Sequence, residues 1–217
     1  PWKGPPVALA FPSWELALLL VAFQGVCSSC VLVVRTSSCS ISYVSAAVLV
    51  FLFGGGWTEG GAADQQLYAW QSVLQTGDAV VVVPNYRLGA LGWLSSWQLD
   101  ALGGGGGNHT GDAGFLDQRA ALRWVQHNIG AFGGDASNVL IWGESSGGTS
   151  VALHLVSPRS HRLFHKAILE SPGITQVKGL ADAELNYKYT LAALLSQQSA
   201  GCVAAGGYAT FTETRLD

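Results

Sequence analysis

The residues Gly143-Glu144-Ser145-Ser146-Gly147 place two serines between glycines, directly after the apolar run Val139-Leu140-Ile141-Trp142. A serine hydroxyl attacks a carbonyl only when it is held exposed and the charge it generates is stabilised nearby. A sharp strand-to-helix turn does the first. Flanking glycines remove side chains that would clash, and the first turn of the helix aims free N–H groups at the hydroxyl. Alone, the motif is weak. With 28 glycines and 20 serines in 217 residues, a Gly-x-Ser-x-Gly match arises by chance roughly 0.3 times in such a chain.

A second group of residues raises its weight. Gly54-Gly55-Gly56 follows another apolar run, residues 47–53 (AVLVFLF). Acyl transfer builds negative charge on the carbonyl oxygen, and N–H groups fixed in advance stabilise it. Gly55 and Gly56 have no side chains to screen their N–H groups, and Ser146, following Ser145, offers a third. The pattern assigns Ser145 as a nucleophile, with Gly55, Gly56 and Ser146 as an oxyanion hole. In this reading Ser146 contributes only its backbone N–H.

These residues need a scaffold. Four β-prone runs, 47–53, 79–83, 139–142 and 167–169, alternate with segments of helical composition, 64–76, 116–129 and 146–156. Continuously apolar strands are those buried on both faces, and their alternation with helices predicts a mostly parallel sheet in an α/β fold. Gly77 and Gly133-Gly134 stop two of the helical segments. A further helix is expected from about residue 180 to residue 199, after which the chain turns glycine-rich. Residues 103–107 are five consecutive glycines, which read as a surface loop. Asn108-His109-Thr110 follows, a glycosylation sequon if the chain enters the secretory pathway. Residues 16–23 (LALLLVAF) are too few to span a bilayer, and suit either a signal-peptide core or a strand. Cys27, Cys30 and Cys39 cluster while Cys202 lies far away, so any disulfide pairing is open.

Composition narrows the class. Hydrophobic residues make up 49% and charged residues 12%, against about 25% charged in an ordinary soluble domain. The length suits one or two domains, one before two, with chain enough for a sizeable core. A net charge of -3 provides no basic footprint, which points away from nucleic acid as a partner. No Cys and His cluster has zinc-ligand spacing, and no stable membrane span is expected. The chain contains no Met and opens on Pro1, from which we expect a fragment or processed piece.

Over residues 48–173 the sequence resembles the type-B carboxylesterase and cholinesterase family of α/β-hydrolases. The stretches carrying the resemblance are FLFGGGWTEGG, VVVVPNYRLGALGWL, GDAGFLDQRAALRWVQHNIGAFGGDASNVLIWGESSGGTSVALHLVSP and LFHKAILESPG. It implies a partial α/β-hydrolase domain over residues 46–217, preceded by a poorly matching segment, 1–45. It implies a small-molecule carboxylic ester as substrate and no metal or organic cofactor. Ser145 matches the nucleophile, and Gly55, Gly56 and Ser146 match the oxyanion hole. Ser146 stands where the family usually has alanine. Glu144 matches an acidic neighbour that acts from beside the nucleophile. Phe53 stands where many esterases have His or Tyr. Arg87 and Asp117 match a buried structural ion pair. Cys39 matches a disulfide cysteine, although Ser37-Ser38 replaces the acidic pair expected before it.

The chemistry is incomplete. A serine nucleophile needs a histidine base and an acid to orient it, in the chain order Ser, acid, His in this fold. His109 and His127 precede Ser145, and His154, His161 and His165 follow it closely. None stands where the family places its base, and Asp182, Glu184 and Glu213 lack the context of its acid. The expectation is a chain of weak or no activity cut from a serine ester hydrolase. A non-catalytic cholinesterase-like adhesion domain and a degenerate product are the competing readings.

Overall fold

A computed structural model describes residues 17–22, 30–35, 46–63, 79–102 and 110–200, the first two segments by backbone alone. Six strands form one sheet in the order β1-β2-β4-β3-β5-β6. They are β1 (Ala17–Ala22), β2 (Cys30–Arg35), β3 (Ala46–Leu52), β4 (Ala79–Pro84), β5 (Gly134–Glu144) and β6 (Lys166–Glu170). Strands β4, β3, β5 and β6 run parallel, while β1 and β2 add an antiparallel pair beside β4. The helices are α1 (Gly89–Trp93), α2 (Trp97–Leu102), α3 (Ala113–Asn128), α4 (Ser146–Val156) and α5 (Leu180–Ala200). The mostly parallel α/β architecture expected from the sequence is the one observed.

Side chains alternate across a strand, so each continuous apolar run divides between two faces. On one face Val48, Val50, Leu52, Val80, Val82, Val139 and Ile141 meet Leu122, Val125 and Ile129 from α3 and its extension, and Val151 from α4. On the other, Phe51, Phe53, Val81 and Val83 meet Ala62 and Tyr86, with Trp57, Trp93 and Trp142 packed against them. All six residues of β4 are buried. That is why these strands contain no polar alternation.

Several boundaries differ from the sequence expectation. The run 16–23 contains a strand, β1. Helix α3 starts three residues before the expected Leu116, its first turn closed by the Leu116 N–H on the Asp112 carbonyl at 2.8 Å. It passes into a 3-10 turn, Ile129–Phe132, which ends at Gly133 with φ 76°. Strand β5 begins at Gly134 rather than Val139 because Gly134 pairs with Ala46 across an irregularity in the register. Its first residues, Asp-Ala-Ser-Asn, are turn formers that hide the extension. Helices α1 and α2 were not expected. The helix expected over 64–76 lies outside the described residues, as do the glycine run, Asn108 and the cysteines other than Cys30. Around that glycine run, Asp100 Oδ1 accepts the Thr110 N–H at 2.6 Å and the Thr110 hydroxyl at 2.7 Å. The pair braces the end of α2 against the approach to α3. No helix among the described residues is long and apolar enough to cross a membrane.

Helix α4 carries a buried histidine. His154 is fully buried, stacked on Phe115 at 4.2 Å between centroids, and its Nδ1 bonds the Ser160 hydroxyl at 2.8 Å. Burial, reinforced by the Arg119 charge, pushes its pKa down from 6.5 to about 3. In the folded chain the ring therefore stays neutral at acidities where the unfolded chain has already bound the proton. The unfolded state binds more protons across this window, so stability rises with pH within it. The contribution is fully present above 6.5 and is lost as pH falls toward 3, by up to about 1.4 kcal/mol per pH unit. Denaturant midpoints should accordingly fall from pH 7 to pH 5, and His154→Gln should show a shallower fall. Identical slopes for the two proteins would rule out His154 as the titrating group.

Candidate active site

The strand order determines where a site can form. From β3 the chain moves to β4 on one side, then returns across β3 to β5 on the other. In parallel sheets a crevice opens at the carboxyl ends of the strands where the direction of winding reverses. Here it falls between β3 and β5, whose ends pair as Leu52↔Gly143. Gly54-Gly55-Gly56 leaves the end of β3, and Ser145 leaves the end of β5. The two groups singled out by the sequence therefore emerge side by side.

At Ser145 the chain turns from β5 into α4 with φ 55° and ψ -122°. A non-glycine residue in this region stores about 1–3 kcal/mol of strain and persists only where its surroundings enforce it. Two hydrogen bonds do so: the Ser145 N–H donates to the Glu170 carbonyl of β6 at 2.9 Å, and the Ser145 carbonyl accepts the Thr149 N–H at 2.9 Å. Helix α4 must also start hard against the sheet. A Cβ placed on Gly147 would overlap the Leu52 carbonyl, so only glycine permits that approach. The turn presents Ser145 at the N-terminus of an 11-residue helix, where the helix dipole favours negative charge.

The glycine loop lies against this turn. A Cβ on Gly54 would fall 2.8 Å from Glu144 Oε2 and 3.1 Å from Ser145 Cβ. Gly55 and Gly56 have φ 112° and 63°. Gly55 could not carry a side chain, because the Glu59 carbonyl occupies that space. The N–H groups of Gly55, Gly56 and Ser146 donate to no acceptor among the described residues. Half-buried Glu144 brings its carboxylate up against Gly54 of the loop.

Four residues not singled out from the sequence hold the loop to the helix. Trp57 has φ 60° and stacks on Trp93 at 4.8 Å between centroids. Its N–H donates to Ser146 Oγ at 3.3 Å, and its indole N–H donates to Ser150 Oγ at 3.0 Å. Ser150 Oγ also accepts from Gln118 Nε2 at 3.2 Å and donates to the Ser146 carbonyl at 3.0 Å. Ser146, Ser150 and Gln118 are fully buried. The Ser146 hydroxyl is thus no bystander, which corrects the reading of that residue from the sequence. An alanine there would leave the Trp57 N–H without its acceptor. The available signal was Trp57 directly after the glycines and Ser150 one helical turn beyond Ser146.

Arg87 and Asp117 pair two-pronged, Nε to Oδ2 at 2.7 Å and Nη2 to Oδ1 at 2.8 Å, and the Arg87 N–H also donates to Oδ2 at 3.0 Å. The Asp117 side chain is 9% exposed and that of Arg87 32%. The pair is therefore nearly buried at Asp117 and partly exposed at Arg87, and it ties the chain after β4 to α3. Phe53 is buried and stacks on Tyr86 at 4.4 Å, and the Tyr86 hydroxyl donates to the Phe53 carbonyl.

None of the four described histidines bonds Ser145. His127 donates to the Arg123 carbonyl, His154 pairs with Ser160, His161 donates to the Leu155 carbonyl, and His165 accepts the Val139 N–H. Ser145 Oγ has no hydrogen-bond partner among the described residues.

The sequence model of the carboxylesterase family matches residues 34–204. This chain belongs to the carboxylesterase family. Its α/β-hydrolase fold follows from that membership and from the parallel sheet flanked by helices. It is similar to cocaine esterase of Oryctolagus cuniculus, 44% identical over 150 residues, which cover 69% of this chain and 26% of that protein. Cocaine esterase of Homo sapiens is also 44% identical, over 69% of this chain and 24% of its own length. Cholinesterase 2 of Branchiostoma lanceolatum is 42% identical over 59% of this chain and 35% of its own length. The carboxylesterase-family chain thus spans about a quarter to a third of the length of these relatives.

Two outcomes check the geometry of this family member's turn. Ser145→Gly should be more stable than Ser145→Ala by about 1 kcal/mol, since glycine alone is at ease at φ 55°. Equal denaturation free energies would mean that the turn is unstrained. Ser146→Ala should cost about 1 kcal/mol through the lost Trp57 bond. It should also speed amide hydrogen exchange over residues 55–58, with the exchange of β4 unchanged. Unaltered exchange in the loop would show that the Ser146 hydroxyl does not hold it.

Proposed function

We propose that this chain carries the nucleophile and oxyanion-hole half of a serine carboxylic ester hydrolase. Ser145 attacks the ester carbonyl. The N–H groups of Gly55, Gly56 and Ser146 hold the tetrahedral oxyanion; its collapse breaks the ester C–O bond and expels the alcohol, leaving an acyl-Ser145 that water then hydrolyses to the free acid and Ser145. Glu144 acts through electrostatics beside the nucleophile, and Arg87 with Asp117 serves structure. The single observation supporting this reading is the constrained backbone of Ser145 at the helix start, directly beside a glycine loop with unengaged N–H groups. The family membership and the printed names of the relatives agree with it. The substrate is a small-molecule carboxylic ester, and the sequon at Asn108 is consistent with passage through the secretory pathway.

Within this proposal the base and acid are missing from the described residues, so the nucleophile is not activated here. The 217-residue chain, mixed with a p-nitrophenyl ester, should release no stoichiometric burst of p-nitrophenol. A polypeptide extended to the length of the relatives, with a downstream acid and histidine, should release about one equivalent, and Ser145→Ala should abolish it. A full burst from the 217-residue chain would overturn the argument about the missing base. A burst from the longer protein that survives Ser145→Ala would overturn the nucleophile. A folded longer protein with no burst would support the alternative reading, a non-catalytic cholinesterase-like binding domain.

A further inference from the structure

A backbone N–H is aimed by its own peptide plane, because the N–H and C=O of one trans peptide point in opposite directions. Whatever holds the carbonyl therefore aims the N–H. In the Ser145–Ser146 peptide the carbonyl accepts the Thr149 N–H at 2.9 Å and the Thr149 hydroxyl at 3.3 Å, which fixes the Ser146 N–H. In the Gly55–Gly56 peptide the Gly55 carbonyl accepts the N–H groups of Thr58 and Glu59 at 3.0 and 3.1 Å and the Thr58 hydroxyl at 3.1 Å, so the Gly56 N–H points away from that turn. The two donors sit on different segments. They can serve one oxygen only if the glycine loop is held at a set distance from the start of α4. Trp57 spans the gap. Its N–H reaches Ser146 Oγ, its indole N–H reaches Ser150 Oγ, and its carbonyl accepts the Gly89 N–H at 2.7 Å. Ser150 Oγ is saturated: N–H groups from Trp57 and Gln118 fill its acceptor sites, and its own proton goes to the Ser146 carbonyl. A hydroxyl with every site filled has no second orientation to adopt, so Gln118 makes Ser150 a fixed post. The Trp57 backbone has φ 60°, which a non-glycine residue keeps only where its surroundings enforce it. Without these bonds that residue relaxes, and the Gly56–Trp57 peptide turns with it.

We propose that Trp57 is a positioning residue of the oxyanion hole, holding Gly55 and Gly56 in line with Ser146 through the Ser150 hydroxyl that Gln118 keeps in place. The inference rests on the hydrolase reading of Ser145. Trp57 acts through the loop rather than on the substrate. Donors that meet full charge only in the transition state lower the barrier without tightening substrate binding, so a misaimed hole costs kcat rather than KM. Removing one oxyanion donor outright costs about 100-fold or more in kcat. A displaced donor should cost at least about tenfold.

The test uses a polypeptide extended to the length of the relatives, turning over a p-nitrophenyl ester. Trp57→Phe keeps a ring against Trp93 and deletes the indole N–H, and Ser150→Ala deletes the shared hydroxyl. Each should lower kcat at least about tenfold with KM within about twofold. The double variant should be no slower than Ser150→Ala, because both changes break the same bond. Inhibition by a trifluoromethyl ketone, whose tetrahedral adduct with Ser145 places an oxyanion in the hole, should weaken in proportion to kcat/KM across the set. Val125→Ala, a change in the buried core, should lower the denaturant midpoint and leave kcat unchanged. In the 217-residue chain Ser150→Ala should speed amide exchange over residues 55–58, a measurement that needs no turnover. Undiminished kcat in both Trp57→Phe and Ser150→Ala would overturn the proposal and leave Ser145 as the nucleophile. An equal fall in Val125→Ala would trace the effect to stability and overturn it as well, as would unaltered exchange in the loop. Turnover that survives Ser145→Ala, or a folded longer protein with no turnover, would instead remove the hydrolase reading on which the inference rests.

Discussion

The close approach of Gly147 to the Leu52 carbonyl is the constraint from which the rest of the site follows. Strands β3 and β5 must be neighbours for it to occur, and the reversal in strand order makes them so. With the helix seated that close, the residue joining strand to helix has no room for an ordinary backbone path and takes a positive φ. The same closeness carries the start of α4 into reach of the glycine loop. Ser146 and Ser150 then meet Trp57, and three segments distant in sequence act as one body. A side chain at position 147 would separate the helix from the strand and loosen every one of these contacts together.

Energetically the site stores strain that the scaffold must offset. A positive φ at Ser145 and another at Trp57 each oppose folding. Against them stand two faces of sheet packed in apolar side chains and a small polar network with almost no access to water. The surrounding low dielectric strengthens each bond of such a network, while Gln118 Oε1, buried without a hydrogen-bond partner among the described residues, sets a cost against that gain. The network also anchors Gln118 of α3, so the helix that covers the sheet is tied to the turn that exposes Ser145.

What the sequence disclosed follows from how local each signal is. Strands β3, β4 and β5 were legible because burial on both faces demands unbroken apolar runs, and the elbow was legible because its glycines are packed into a few positions. The weaker elements were hidden for physical reasons. Helix α1 contains Gly89 and Gly92, both poor helix formers, and Gly92 is there only so that the Arg87 carbonyl can approach. Trp57 was missed because its partners lie 89 and 93 residues away. Nothing near a tryptophan in sequence shows that its backbone N–H will find a serine hydroxyl. The Ser146 hydroxyl was passed over for the same reason: a residue that substitutes for alanine reads as neutral until its long-range partner is seen.

The brace between Asp100 and Thr110 has a consequence for how this gene can change. It pins together the two ends of the stretch that contains five consecutive glycines. With its ends already tied, the stretch can vary in length at a small entropic cost, about 0.6 kcal/mol per doubling. Helices α2 and α3, and the turn at Ser145 beyond them, would not register the difference. Length polymorphism at this point would be close to invisible to selection on the fold.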